Sequence, residues 1–262
     1  MRLSISAVEA IMRVSSLGLA LSLSLLAAPA LAQEVGPEVG REAAWTLGGG
    51  VTGVSDYVWR GISQTRGKPA LQFDLNLSHR SGFHAGVWAS NVDFTATGDE
   101  NDGIRYELDP YIGWSGEVFG NGSELELSLS RVTYPRAKPG FNVNYTEIEG
   151  KLTFPQHVYV GLAYSPDIFK LGARGIYYNA GVDLPLGESG WGLKAQAGHY
   201  DLKKAAGDSY DDLLLGVNRQ FGPVKAELAW TDTTSYGEAL SENLDEASQA
   251  GARWVLSLGW EF

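Results

Sequence analysis

The feature that most constrains this chain is an apolar–polar alternation of period two that recurs twelve times between Trp45 and Phe262. Leu71, Phe73, Leu75 and Leu77 alternate with Gln72, Asp74, Asn76 and Ser78, and Leu125, Leu127 and Leu129 alternate with Glu124, Glu126, Ser128 and Ser130. The chain closes on Trp254, Leu256, Leu258, Trp260 and Phe262 against Arg253, Val255, Ser257, Gly259 and Glu261. Such alternation gives a ribbon with one apolar and one polar face, which is a strand signal. The predicted strands are 45–55, 69–79, 83–93, 106–115, 123–133, 143–154, 157–165, 175–185, 191–200, 211–221, 223–232 and 252–262. No other segment of comparable length carries a helical stripe, apart from the N-terminal apolar run.

The connectors sharpen the prediction. Those at 56–68, 94–105, 134–142, 166–174, 201–210 and 233–251 are long. They alternate with shorter ones at 80–82, 116–122, 155–156, 186–190 and 222, of which 116–122 is intermediate. Long loops at one end, short turns at the other and both termini at the short-turn end describe an outer-membrane β-barrel. A soluble sandwich gives no reason for that rhythm. The fold predicted is all-β: a transmembrane antiparallel up-and-down barrel of about twelve strands over 45–262, after a short polar lead at 33–44.

Composition decides which face points where. Charged residues make up 19% of the chain, glycine numbers 33, and tryptophan plus tyrosine 20. In a membrane barrel the apolar face meets lipid and the polar face lines the lumen. The lumen set is then Asp74, Asp109, Glu124, Glu126, Glu147, Glu149, Lys151, Lys194, Lys225, Glu227 and Arg253, joined on the same parity by Glu107, Asp183 and Glu261. Trp45, Trp114, Trp191, Trp230, Trp254 and Trp260 are expected in interfacial girdles, ring in lipid and N–H toward headgroups. Arg131 falls on the apolar parity, where a position at the outer rim lets it meet lipid phosphate. A net charge of −11 gives no basic footprint for nucleic acid. The lack of cysteine removes thiolate catalysis, Cys-ligated zinc and disulfides.

Residues 1–32 read as a cleaved export signal. Arg2 and Arg13 flank a positive region, Leu17 to Ala28 is an apolar run too short to span a bilayer, and Ala30-Leu31-Ala32 is a small-x-small cleavage pattern. A start at Met12 gives a more typical signal. Cleavage removes Arg2, Arg13 and Glu9 and takes the net charge from −11 to −12.

The stretch Val54-Ser55-Asp56-Tyr57-Val58-Trp59-Arg60-Gly61-Ile62-Ser63-Gln64 resembles the hallmark of the TorF family of porin-like proteins, also called Gcw_chp. Ser81 to Phe94, Tyr134-Pro135, Tyr145-Thr146-Glu147 and the closing Phe262 extend the resemblance over the whole mature chain. It implies an outer-membrane barrel of porin type and carries no catalytic residues. Pro110 departs from the expected pattern, because proline cannot donate to a ladder and a closed barrel has no edge to hide it. A bulge there, or a strand starting at Tyr111, is expected.

Other motifs weigh little. Gly48-x-Gly50-x-x-Gly53 matches a dinucleotide fingerprint but lies inside a strand with no βαβ unit after it. The four histidines show no zinc spacing. Asp99 to Gly103 lacks the full ligand order of a calcium loop. His199 and Asp201, with Asp208, Asp211 and Asp212 across a loop, leave a rim hydrolase as one alternative; a structural or adhesive barrel with a plugged lumen is another. Asp56, Tyr57 and Arg60 are the loop or mouth candidates, with Arg60 either touching solute or ordering the loop by pairing with Asp56 or a lumen carboxylate.

The predicted function is passive diffusion of small, preferably cationic or neutral, solutes across the Gram-negative outer membrane, without cofactor. Expected partners are outer-membrane lipid and lipopolysaccharide, the barrel-assembly machinery through the C-terminal strand, and the solutes themselves. Nucleic acid is not among them.

Overall fold

A computed structural model describes residues 44–93, 102–244 and 247–262. The export signal and the lead up to residue 43 lie outside the described residues, as does most of the acidic loop at 94–101. The strands are β1 (Trp45–Val54), β2 (Val58–Trp59), β3 (Ile62–Ser63), β4 (Ala70–His79), β5 (Phe83–Asn91), β6 (Tyr106–Val118) and β7 (Ser123–Val132). They continue with β8 (Tyr145–Thr153), β9 (Val158–Ser165), β10 (Gly175–Pro185), β11 (Trp191–Asp201), β12 (Ser209–Phe221), β13 (Val224–Thr234) and β14 (Arg253–Glu261).

Twelve of these close into an antiparallel barrel in the order β1, β14, β13 and so on down to β4, which returns to β1. All twelve predicted strands are present, with ends shifted by a few residues. The two-residue strands β2 and β3 form a separate hairpin inside the first long connector. Closure is made by Gly50↔Glu261 through Val54↔Ser257, and by reciprocal backbone bonds between Gly49 and Phe262 at 3.1 and 3.0 Å. A closed ladder leaves no unpaired edge in hydrocarbon, which is the condition for crossing a bilayer with strands.

The side chains sort by parity. On β4, Leu71, Phe73, Leu75 and Leu77 point outward and are between 42% and 48% exposed in the bare chain. Val158, Val160 and Leu162 on β9 and Leu256 and Leu258 on β14 are likewise exposed, at 43% to 55%. This belt is an outward-facing apolar surface of the kind a membrane barrel presents to lipid. Aromatics bound it at both ends. Trp45, Trp191 and Trp260 stand exposed near the short turns, where Trp114 Nε1 donates to the Ser81 carbonyl at 3.0 Å. Trp254 is exposed near the long loops, opposite Trp230 in the ladder. Arg131 is exposed at the long-loop end and donates to Thr146 Oγ1 at 3.0 Å.

Pro110 is handled differently from the expectation. β6 runs straight through it, and neither a bulge nor a late strand start occurs. Val87↔Pro110 sits in an unbroken ladder with β5. Toward β7, Leu108↔Thr133 and Tyr111↔Ser130 share one register, so no residue is inserted. The Leu108 N–H donates to Thr133 at 2.9 Å, and alternation turns the Pro110 nitrogen to that same side. The ladder therefore skips one bond rather than shifting register. Asp109 Oδ1 takes the Thr133 N–H at 3.2 Å and helps hold the two strands across the gap.

The outer mouth is not an open tube. Ile62 from the β2–β3 hairpin packs with Tyr145, Tyr177, Tyr200 and Tyr210 from the wall and with Ile168, Leu202 and Leu240 from the long connectors. Ile168, Leu202 and Leu240 are fully buried, though each lies in a loop or short helix. The long connectors thus fold into the lumen. Among the described residues the two α-helices, α1 (Lys203–Ala206) and α2 (Glu238–Asn243), belong to this outer packing, and no helix is long and apolar enough to cross a membrane.

Candidate functional site: an arginine-tipped hairpin in the lumen

The β2–β3 hairpin turns on Arg60 and Gly61, both left-handed at φ 48° and 79°. Two successive positive φ values define the tight hairpin turn whose twist matches its strands. Gly61 has a second reason to be glycine. A Cβ there would lie 2.3 Å from Thr233 Oγ1, which instead donates to the Gly61 carbonyl at 2.8 Å. The turn is pressed against the barrel wall. Arg60 occupies a conformation that costs an L-residue about 1–2 kcal/mol, so surrounding contacts must hold it.

Those contacts are specific. Arg60 Nη2 donates to both carboxylate oxygens of Glu147, at 2.8 and 2.9 Å, and to Glu149 Oε1 at 3.3 Å. The guanidinium carbon lies 4.2 Å from the Trp59 ring centre, 4.5 Å from Tyr177 and 4.9 Å from Tyr200. Both Arg60 and Glu147 side chains are almost fully buried. Burial opposes the charge on Arg60, but Glu147, Tyr200, Glu149 and Tyr145 outweigh it and hold the guanidinium above its ordinary value. Arg60 is a permanent cation at the constriction.

Asp56 is the knot at the base of the loop rather than Arg60's partner. Its Oδ1 accepts from Ser63 at 2.6 Å and Thr65 at 2.9 Å, and its Oδ2 accepts from Arg253 at 2.9 Å. Arg253 also donates to the Ser248 and Gln249 carbonyls. One ion pair thereby ties the first and last long connectors together at the β1–β14 seam. Tyr57 packs against Trp88 with ring centres 5.4 Å apart and the rings inclined by 59°. Burial and the charges of Glu107 and Asp109 push its phenol well above the ordinary range, so it stays neutral.

Below the hairpin lies a cavity of about 1030 Å³. Asp109, Glu126, Glu147, Glu149, Lys151, Lys194 and Glu227 line it, as do Asp56, Tyr57 and Arg60. Asp74 lines a second recess of about 430 Å³ beside Glu261 and the closing seam. Glu124 and Lys225 share the inward parity of Glu126 and Glu227 but stand nearer the short turns, away from the main cavity. Within the lumen Lys194 sits 3.8 Å from Glu227, and Lys151 lies 4.4 Å from the Tyr159 ring centre.

Sequence reasoning missed Asp212, which it read as rim. Asp212 faces inward and takes the Tyr177 hydroxyl at 3.2 Å. It also missed the lumen aromatics Trp88, Tyr111, Tyr159 and Tyr177. The available signal was parity: each shares the face of its strand's polar residues. The rim hydrolase candidates do not converge. His199 Nδ1 meets Asp211 Oδ1 at 2.6 Å on the outward side, Asp201 receives the Lys203 amide, and Asp212 points the other way.

This architecture resembles solved outer-membrane porins. The KdgM porin superposes with a TM-score of 0.51 at 7% identity, covering 83% of this chain and 99% of that one. A second KdgM structure, in complex with disordered oligogalacturonate, gives 0.50 at 7% identity, with the same coverage. The NanC porin gives 0.50 at 8% identity, covering 82% and 98%. At these identities the likeness is one of fold. No curated protein matches the chain in sequence. The profile of a family described as "Bacterial protein of unknown function (Gcw_chp)" matches residues 38–262, which include every barrel strand and the arginine-tipped hairpin, and the chain belongs to that family.

Proposed function

We propose that this barrel is an outer-membrane channel for passive diffusion of small, cationic or neutral solutes, narrowed at its outer mouth by the β2–β3 hairpin and reaching the membrane after removal of residues 1–32. The observation that carries this reading is a closed barrel with an apolar exterior around a charged cavity of about 1030 Å³. The cavity lining holds more carboxylates than bases, and a narrow low-dielectric tube focuses their field. Carboxylate rings favour cations. No reaction is assigned, because the His199–Asp211 pair lacks the convergent groups that a hydrolase needs.

Purified barrel in planar bilayers under a salt gradient should give a cation-selective reversal potential at 0.1 M salt. Selectivity should weaken toward 1 M, as the Debye length falls from ~10 Å to ~3 Å. Glu126→Gln should reduce it. Anion selectivity at low salt would overturn the charge argument. The packed outer mouth favours a second reading, a plugged structural barrel. Absence of both conductance and liposome swelling from correctly folded protein would establish that reading instead.

A further inference from the structure

The lumen repeats one chemical unit, a carboxylate beside an aromatic face, at successive positions. At the outer station Glu147 and Glu149 lie beside Tyr177 and Tyr200, and the Arg60 guanidinium fills the box. At the next, Lys151 covers the Tyr159 ring and faces Glu126 across the β7–β8 ladder. At the third, the Tyr111 hydroxyl donates to Asp74 Oδ2 at 2.9 Å, and Asp74 lies opposite Trp88 in the β4–β5 ladder. Tyr111 can lie flat because its cross-strand neighbour is Gly86, where a Cβ would come within 2.5 Å of the phenol oxygen. Tyr111 lines the main cavity, with the His84 ring set edge-on to it at 6.2 Å between centres. No lysine or arginine of the described residues pairs with Asp74 or stacks on Tyr111, though Asp74 Oδ1 also accepts from Asn76 Nδ2 at 2.7 Å.

Two stations of three therefore hold a cation of the chain itself, one guanidinium and one ammonium. A carboxylate alone suits a hydrated metal ion. A carboxylate with a π face suits a cation that is weakly hydrated and carries a flat or alkyl surface. The outer occupant is the one carried on a loop rather than on the wall, and it is the more firmly held of the two, since Lys151 is exposed and touches only the Tyr159 ring. Arg60 sits at the tip of a hairpin with left-handed backbone, joined to the wall near the tip through Thr233 and through its own guanidinium.

We infer that the lumen is a binding track for organic cations, specifically alkyl-guanidinium or alkylammonium compounds, and that Arg60 is a tethered occupant of its outer station. A solute binds most readily at the Asp74–Tyr111 station, which holds no lysine or arginine of the chain, and at the outer station it competes with Arg60 for Glu147 and Tyr177. Displacement of Arg60 releases its side chain from Glu147, while Thr233, the Ile62 packing and the Asp56 knot keep the hairpin backbone on the wall. The inference deepens the channel reading and rests on it for passage, though not for binding.

The probe is agmatine, which carries a guanidinium at one end and an ammonium at the other. Isothermal titration of the purified full barrel in detergent, at fixed ionic strength, measures its binding against potassium chloride. Heat-dependent gel migration checks that each variant is folded. Wild-type protein should bind agmatine and show no heat with potassium. Asp74→Asn or Tyr111→Leu should weaken that binding at least tenfold. Arg60→Ala should add a second equivalent of agmatine, and Glu147→Gln in that background should remove it. Agmatine binding no stronger than potassium, or a second equivalent that fails to appear in folded Arg60→Ala, overturns the inference. Conductance recorded on the same preparations separates the two readings. Binding without conductance upholds the track and refutes the channel; conductance without binding refutes the track and leaves the channel.

Discussion

Arg60 shows how one side chain can organise a mouth. Its guanidinium is out of water, so its charge is tolerable only with Glu147 and Glu149 in place and aromatic faces around it. Removing one partner of a buried pair leaves an uncompensated charge, which costs about 3–5 kcal/mol. Glu147→Ala should therefore lower stability toward the small end of that range, because Glu149 remains. The measurement is the urea midpoint of folded, detergent-solubilised protein. In the double variant Arg60→Ala with Glu147→Ala, the loss should be clearly less than the sum of the single losses. Additive losses would show that the pair does not interact. The pairing itself was only half legible: the sequence marked Arg60 as a loop cation with an acidic partner, but Asp56, its near neighbour in sequence, is taken by Arg253 instead. Sequence proximity could not choose between them, since the hairpin swings the Arg60 tip across the lumen to a strand 87 residues away.

At the scale of elements, the strands were legible because each carries its own alternation, and register follows from which face meets lipid. β14 shows the consequence. It must pair with β13 on one side and β1 on the other, and Phe262 completes the seam through Gly49. Deleting Trp260 to Phe262 should abolish membrane assembly, read as loss of the folded, unboiled gel species. Normal assembly of the truncated chain would refute the role given to the seam. The connector from Thr234 to Arg253 contains α2 and lies at the long-loop end. An epitope inserted after Glu242 should be labelled on intact cells, and labelling only after permeabilisation would invert the orientation. The β2–β3 hairpin was not foreseen, because two residues per strand are too few to show a period. Pro110 was expected to break its strand, yet the cost stays local: one missing bond on one side.

At the scale of the whole molecule, the barrel places its apolar surface outside and an aromatic core inside only at one end. The exterior belt is covered by lipid, while Tyr200, Leu202 and Leu240 are buried by the folded-in connectors. Stability thus comes from the closed hydrogen-bonded wall together with a small conventional core under the outer loops. Unboiled protein in detergent should migrate differently from boiled protein, as a closed ladder resists unfolding. Identical migration together with recovery in a soluble periplasmic fraction would be incompatible with this architecture.

The sequence by itself determined the class, the strand number, the connector rhythm and the two faces of the wall. Those are local properties: a two-residue period is written into each segment, and lipid outside selects one face everywhere at once. Only the tertiary structure decided how the mouth is filled. Whether Arg60 meets Asp56 or Glu147, whether Tyr111 lies flat on Gly86, and which loop residues bury themselves depend on segments far apart in the chain arriving at one place. No periodicity records that, because the contacts form after the barrel closes and are fixed by distance across the lumen rather than by order along the strand.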